Sequence, residues 1–257
     1  MTELKLDNIS LAIDGKTILD SVNLTVRTGE LAVLLGANGA GKSSVLRCAL
    51  GLVPAATGDA RIDQLPLRRI STLQRAKLAA YLPQRRPMAW PVKVFDVVSL
   101  GRYAYGVRLG RLKGVDLALV EAAIDACDLQ SLRDRRMDTL SGGESARVHC
   151  ARAFAADAAL LLADEPNAAL DPKHELGIMQ LIRNYVDGGR GALVVAHEAN
   201  LAARFADRLI WMRDGRIYAD GTVAETMTPA MMAEIYGVKA QIHQVAGHTN
   251  VTILDAL

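Results

Sequence analysis

The stretch Gly36-Ala37-Asn38-Gly39-Ala40-Gly41-Lys42-Ser43 constrains this chain more than any other. It has the spacing G-x-x-x-x-G-K-[ST] of a loop that cradles nucleotide phosphates. An apolar run, Leu31-Ala32-Val33-Leu34-Leu35, precedes it and reads as a buried strand. Ser44-Val45-Leu46-Arg47-Cys48-Ala49-Leu50 follows it and has helical character. A strand, a Gly-rich turn and a helix in that order make an anion site. The first amides of the helix lack intrahelical acceptors, and the helix dipole places roughly half a positive charge behind them. Gly36, Gly39 and Gly41 let the backbone approach phosphate closely. Ala37, Asn38, Ala40 and Ser44 complete the binding segment. Lys42 is expected to reach the β- and γ-phosphates, and the Ser43 hydroxyl to ligate Mg²⁺.

Composition narrows the alternatives. The 257 residues suffice for one large domain or two small ones, and 51% hydrophobic with 23% charged residues provides a sizeable core. A net charge of +2 and an aromatic content of 4% argue against a nucleic-acid partner held by phosphate neutralisation or base stacking. Cys48, Cys127 and Cys150 lack metal-ligand spacing and fit buried thiols in a reducing compartment. The first seven residues carry acids and no apolar core, and no run of about 18 apolar residues exists. Neither a signal peptide nor a bilayer span is expected, so a membrane role must work through a partner.

The chain order reads as α/β. Short alternating stretches over residues 3–30, with an Asp14-Gly15 turn, predict a small antiparallel sheet. Residues 58–63 return as a strand, and Tyr81-Leu82-Pro83-Gln84 reads as a strand end. Residues 85–154 change character: Val94 to Leu100 begins a helical region, and Leu117, Val120, Ile124 and Cys127 recur at helical spacing. Then Leu160-Leu161-Leu162-Ala163 ends in Asp164-Glu165. A helix follows with Ile178, Leu181, Ile182 and Tyr185 on one face. Ala192-Leu193-Val194-Val195-Ala196 ends at His197. Continuous apolar runs of this kind suit parallel strands covered on both faces. Arg208 to Tyr218 predicts a hairpin turning at Asp214-Gly215, and from about Thr228 a helix and then irregular structure are expected. The expected organisation is a single domain: residues 1–84 and 155–257 form a nucleotide-binding core with an antiparallel β-subdomain, and residues 85–154 form a helical insertion.

Three apolar strands thus end in chemical groups: the phosphate loop, Asp164-Glu165, and His197. Ligands of open α/β sheets bind at the carboxyl ends of the strands, so one sheet would gather all three around one nucleotide. Asp164 is expected to hold Mg²⁺ in its outer shell, Glu165 to activate water as general base, and His197 to touch the γ-phosphate. Leu140-Ser141-Gly142-Gly143-Glu144 has a capping box, with Ser141 capping a helix whose third residue is Glu144. It is a second helix start open to an anion.

Taken together, the phosphate loop, Gln84, Leu140 to Glu144, Leu160 to Glu165, Ala169-Leu170-Asp171 and His197 stand in the order and approximate spacing of one family. The chain resembles the ATP-binding subunits of ABC transporters over nearly all its length, and Leu140-Ser141-Gly142-Gly143-Glu144 matches the family signature. The resemblance implies a P-loop NTPase fold of ABC type, with a mainly parallel core sheet. It also implies a head-to-tail homodimer in which Ser141, Gly142, Gly143 and Glu144 of one copy complete the ATP site of the other. Gln84 matches the loop that contacts Mg²⁺ and couples to the membrane subunit, and Asp171 the loop that meets its mate across the dimer. Ile13 stands where an aromatic residue usually stacks on adenine. Ser145, Ala146, Asn167 and Ala168 also depart from the common pattern, but none removes a phosphate contact or the base.

Val97-Val98-Ser99-Leu100-Gly101-Arg102-Tyr103-Ala104-Tyr105-Gly106, with Asn200 to Asp207, resembles the importer subfamily for iron-siderophores, haem and cobalamin. That implies transmembrane permease subunits, an extracytoplasmic (periplasmic) binding protein, and a peripheral location on the cytoplasmic face of the inner membrane. Arg85, Arg86, Pro87, Met88, Ala89 and Trp90 read as a surface for the permease. The alternatives are a soluble ABC-type ATPase acting on DNA or ribosomes, and an importer subunit for a metal ion or phosphonate. His243 and His248 read as residues of a solvated tail.

Overall fold

The structure is a computed structural model that describes residues 1–84, 91–108 and 110–257. Strands β1 (Glu3–Ile13) and β2 (Lys16–Arg27) form a long hairpin. Its Asp14-Gly15 corner takes φ of 48° and 77°, the geometry of a tight two-residue turn. β3 (Leu31–Gly36) feeds the phosphate loop and α1 (Lys42–Ala49). β4 (Thr57–Ile62) and β5 (Leu65–Pro66) pair beside β1, giving an antiparallel sheet in the order β2-β1-β4-β5. α2 (Thr72–Leu78) leads into β6 (Ala79–Leu82). The described residues that follow form α3 (Val94–Ser99), α4 (Gly114–Ala126) and α5 (Gly142–Ala155), joined in part by short 3₁₀ turns.

The α/β alternation then resumes with β7 (Leu160–Asp164), α6 (Pro172–Asp187), β8 (Gly191–Val195) and α7 (Ala199–Phe205). After it come β9 (Arg208–Arg213), β10 (Arg216–Gly221), α8 (Val223–Thr226) and α9 (Pro229–Tyr236). A hairpin of β11 (Val238–Val245) and β12 (His248–Ala256) ends the chain. The main sheet has the order β10-β9-β3-β8-β7-β6, with every neighbouring pair parallel except β9 and β10.

Why the central strands read as unbroken apolar runs is visible in the packing. Alternate residues of each strand enter two separate cores. Val33, Leu35, Leu161, Ala163 and Val194 face a core shared with α3, α4, α5 and α6. Ala32, Leu34, Leu160, Leu162, Leu193 and Val195 face the other core, with α1 and the antiparallel sheet. A strand buried on both faces has no polar side to display. At about 1.5–3 kcal/mol per fully buried large aliphatic side chain, these strands form the most stable part of the molecule and a rigid edge for a site.

Two expectations need correction. The tail beyond α9 is an antiparallel hairpin rather than irregular structure. Its Ala246-Gly247 corner has φ of 50° and 80°, which a two-residue turn demands, and His243 and His248 lie on its two strands. On α6 the buried face runs through Ile178, Met179, Ile182, Tyr185 and Val186, while Leu181 only packs at the core margin. The expected permease surface at Arg85 to Trp90 lies outside the described residues.

Candidate functional site

The register of the main sheet sets four chain segments side by side. Asp164 at the end of β7 pairs with Val195 at the end of β8, Val195 pairs with Leu34 of β3, and Ala163 pairs with Leu82 of β6. The ladder continues just past the strand ends. Glu165 N–H donates to the Val195 carbonyl at 3.1 Å, and Ala196 N–H donates to the Leu34 carbonyl at 3.2 Å. Gln84, Asp164-Glu165, His197 and the phosphate loop therefore emerge on one edge.

The loop itself is built by backbone shape. Gly36 has φ 156°, and a methyl group added to it would lie 2.4 Å from the Met212 carbonyl oxygen. Gly41, at φ 99°, faces Leu19 and the Ile18 carbonyl, which an added methyl group would meet at 2.8 and 2.9 Å. The hairpin of β1 and β2 is thus pressed against the loop, and Ile13, at its corner, is half exposed at 48%. Helices α2, α5, α6, α8 and α9 each start with a Ser, Thr or Asp side chain accepting a first-turn amide. α1 starts at Gly41 with no side-chain cap, so its leading amides face outward.

Lys42 lies only 5% exposed, and its Nζ donates to the Gly36 carbonyl at 2.7 Å and the Ala37 carbonyl at 3.0 Å. Burial holds its pKa below the usual lysine value, against the opposing pull of the Glu165 and Asp164 carboxylates. Asp164 is 1% exposed, and Ser43 Oγ donates to its Oδ1 at 2.9 Å. Burial raises its pKa, partly offset by the Ser43 hydrogen bond. A half-buried hydroxyl bonded to a buried carboxylate, beside a buried lysine, is a hard-oxygen, high-charge corner, suited to a phosphate chain and a small divalent cation.

Glu165 takes a left-handed backbone, φ 48°, and its side chain is gripped from two sides. Gln84 Nε2 donates to Oε2 at 2.5 Å, and His197 Nε2 is 2.5 Å from Oε1. The sequence points Gln84 toward Mg²⁺ and His197 toward the γ-phosphate; in the structure both converge on Glu165. No residue pattern announces that convergence, because it depends on the register of β6, β7 and β8.

The signature turn lies on a different element. Ser141 Oγ accepts from Glu144 N–H at 3.3 Å, while Glu144 accepts from Ser141 N–H at 2.8 Å. That reciprocal cap lowers the Glu144 pKa, chiefly through the Ser141 backbone hydrogen bond. Within the chain the turn's neighbours include Leu170 beside Gly142 and His174 beside Gly143. Asp171 caps α6, accepting from His174 N–H at 3.0 Å. Sequence reasoning missed His174; the Asp-x-x-His spacing at a helix start was the available signal.

The comparisons with known proteins agree with one another. A family model described as ABC transporter matches residues 19–168. The chain is 37% identical over 248 residues to the hemin import ATP-binding protein HmuV of Bordetella avium (strain 197N), covering 93% of this chain and 94% of that one. It is 36% identical over 248 residues to the protein of the same name from Rhodococcus jostii (strain RHA1), covering 96% and 84%. Its fold matches a metal-chelate type ABC transporter in an inward-facing conformation, with a TM-score of 0.84 at 21% identity over 100% of this chain and 98% of that one. It also matches the dimeric post-hydrolysis state of the ATP-binding cassette MJ0796 bound to ADP and Pi, with a TM-score of 0.74 at 27% identity, covering 86% and 98%. The chain belongs to the ABC transporter family, as one of its ATP-hydrolysing subunits.

Proposed function

We propose that this chain is the energy-coupling ATPase of a haem importer. Two copies would close head to tail on two ATP molecules, and hydrolysis would reopen them. The observation that supports the catalytic half is the shared strand edge: Ser43 at the start of α1 bonds Asp164, and His197 lies against Glu165, just past the ends of neighbouring strands of one sheet.

The roles follow from chemistry. The uncapped amides of α1 and residues 36–44 hold the phosphate chain, and Lys42 leaves its two backbone carbonyls to meet phosphate oxygens. The exchange gives the ammonium anionic acceptors in place of neutral ones, adding an ion pair to each hydrogen bond. Ser43 and Asp164 fit Mg²⁺, which supplies charge neutralisation on the β- and γ-phosphates when bound with ATP. Among the described residues no cluster of three or more His, Cys, Asp or Glu side chains is arranged to hold a metal alone, which fits an ion that takes its remaining ligands from the nucleotide. Glu165 accepts the proton of the attacking water. Gln84 and His197 hold its carboxylate in place before nucleotide arrives, and His197 is then free to turn toward the γ-phosphate. Ser141, Gly142 and Gly143 present the first turn of α5 to the γ-phosphate bound by the partner.

No helix among the described residues is long and apolar enough to cross a membrane. In this reading the chain acts on permease subunits from the cytoplasmic face of the membrane. Haem is preferred as cargo because relatives named for hemin import match at 36–37% identity across more than nine-tenths of this chain. The test is reconstitution of the chain with its cognate permease in liposomes supplied with binding protein. ATP-dependent haem accumulation that disappears with Glu165→Gln supports the reading. Accumulation of a ferric siderophore or cobalamin in place of haem would refute the cargo, and ATP turnover indifferent to any permease would refute the transport role.

A further inference from the structure

The signature turn and the Asp171 loop are expected to act on the partner copy, yet the structure joins them within one chain through His174. The imidazole Nδ1 lies 2.7 Å from Asp171 Oδ2, while the backbone N–H of the same residue donates to Asp171 Oδ1 at 3.0 Å. Both carboxylate oxygens are thereby held. The opposite edge of the ring lies flat against Gly143: a methyl group built there would sit 2.1 Å from His174 Cδ2 and 2.6 Å from Nε2. Gly143 is buried and helical, so no backbone torsion demands glycine at this position. Space for the imidazole does. Gly142 differs, since a methyl group there would make only an ordinary 3.8 Å contact with Leu170.

We propose that His174 is a positioning residue: it locks the signature turn onto the Asp171 loop, so that both segments face the second copy as one rigid unit. An imidazole suits the task because its ring is planar and stiff. One edge bonds the carboxylate while the other fills the gap over the glycine backbone. The hydrogen bonds from His174 hold the Asp171 carboxyl below its usual range, in keeping with an anion fixed in place. Without the ring, Asp171 keeps its cap to the backbone but the α5 turn loses its stop. Ordering that turn then falls to the closing dimer and is charged against ATP affinity. The inference rests on the head-to-tail reading above and adds the internal strut that this reading lacks.

The test uses the full chain carrying Glu165→Gln, so that ATP-driven dimers accumulate, with dimer formation read by size-exclusion chromatography across ATP concentrations. Adding His174→Ala should raise the ATP needed for half-maximal dimer about fivefold, the scale of one lost hydrogen bond to a carboxylate at a partly exposed site. His174→Asn, which keeps a nitrogen near the position of Nδ1, should restore most of it. Gly143→Ala should weaken dimerisation by evicting the ring, and should cost little more once His174 is already Ala, a non-additivity that a merely destabilised fold does not produce. Equal ATP dependence in parent and His174→Ala, or full additivity with Gly143→Ala, overturns the inference while leaving the dimer intact. Absence of ATP-driven dimers in the parent removes the head-to-tail reading and the inference with it.

Discussion

Replacing Glu165 by Gln separates chemistry from binding at this site. The side chain is 13% exposed and accepts from Gln84 and His197 at 2.5 Å each. Glutamine has the same shape. Its carbonyl oxygen still accepts from Gln84, and its amide can donate to a neutral His197 ring. What is lost is the charge-assisted part of two hydrogen bonds, about 1 kcal/mol in all. For a chain of this size that lowers Tm by roughly 2–4 °C, too little to unfold it. The chemical cost is far larger. General-base assistance contributes about 10²–10⁴-fold, and an amide cannot take the proton of water at neutral pH. Phosphate release from Mg–ATP should therefore fall at least about a hundredfold, while ATP retained on the protein, read by filter binding, should rise. Hydrolysis within about tenfold of the parent chain would refute Glu165 as the base, and loss of ATP retention would refute the claim that the carboxylate acts in chemistry rather than binding.

Other consequences are as direct. Burial lifts the Asp164 pKa above its unfolded value, so the folded chain binds that proton more tightly and stability falls as pH rises out of the carboxylate range. In nucleotide-free protein Asp164→Asn should therefore raise Tm at neutral pH and lose that advantage in acid, while abolishing hydrolysis; an equal or lower Tm at neutral pH would contradict the sign. Gly36→Ala must place a methyl group 2.4 Å from the Met212 carbonyl, and should destabilise the chain by about 2 kcal/mol, measured by denaturant unfolding, before any effect on nucleotide is counted.

The fold was legible in sequence wherever burial leaves a single pattern. β3, β7 and β8 announce themselves because both faces are covered, and their carboxyl ends carry the reacting groups. The hairpin of β11 and β12 escaped because its apolar alternation is short: Val238, Ala240 and Ile242 of β11 and Val251 of β12 meet the core, while Val245, Ile253 and Leu254 remain exposed. At the site, identities were legible and partnerships were not. Gln84 and His197 stand out in the sequence one by one, but their joint hold on Glu165 comes from three strands aligned in register. The contact of His174 with Gly143 spans two helices some 30 residues apart along the chain, and nothing local to either helix encodes it.

If each ATP site is made by two copies of the chain, two differently damaged copies should repair one another. Lys42→Ala disables a phosphate loop, and Ser141→Arg blocks a signature turn, so each variant alone should be inactive. In a head-to-tail pair of one copy of each, one site combines both lesions and the other has an intact phosphate loop facing an intact signature. Mixing equal amounts should restore ATP hydrolysis to at most about a quarter of the parent rate, since half of the dimers are mixed and each has one good site. A mixture as inactive as its components would rule out a site shared between two copies.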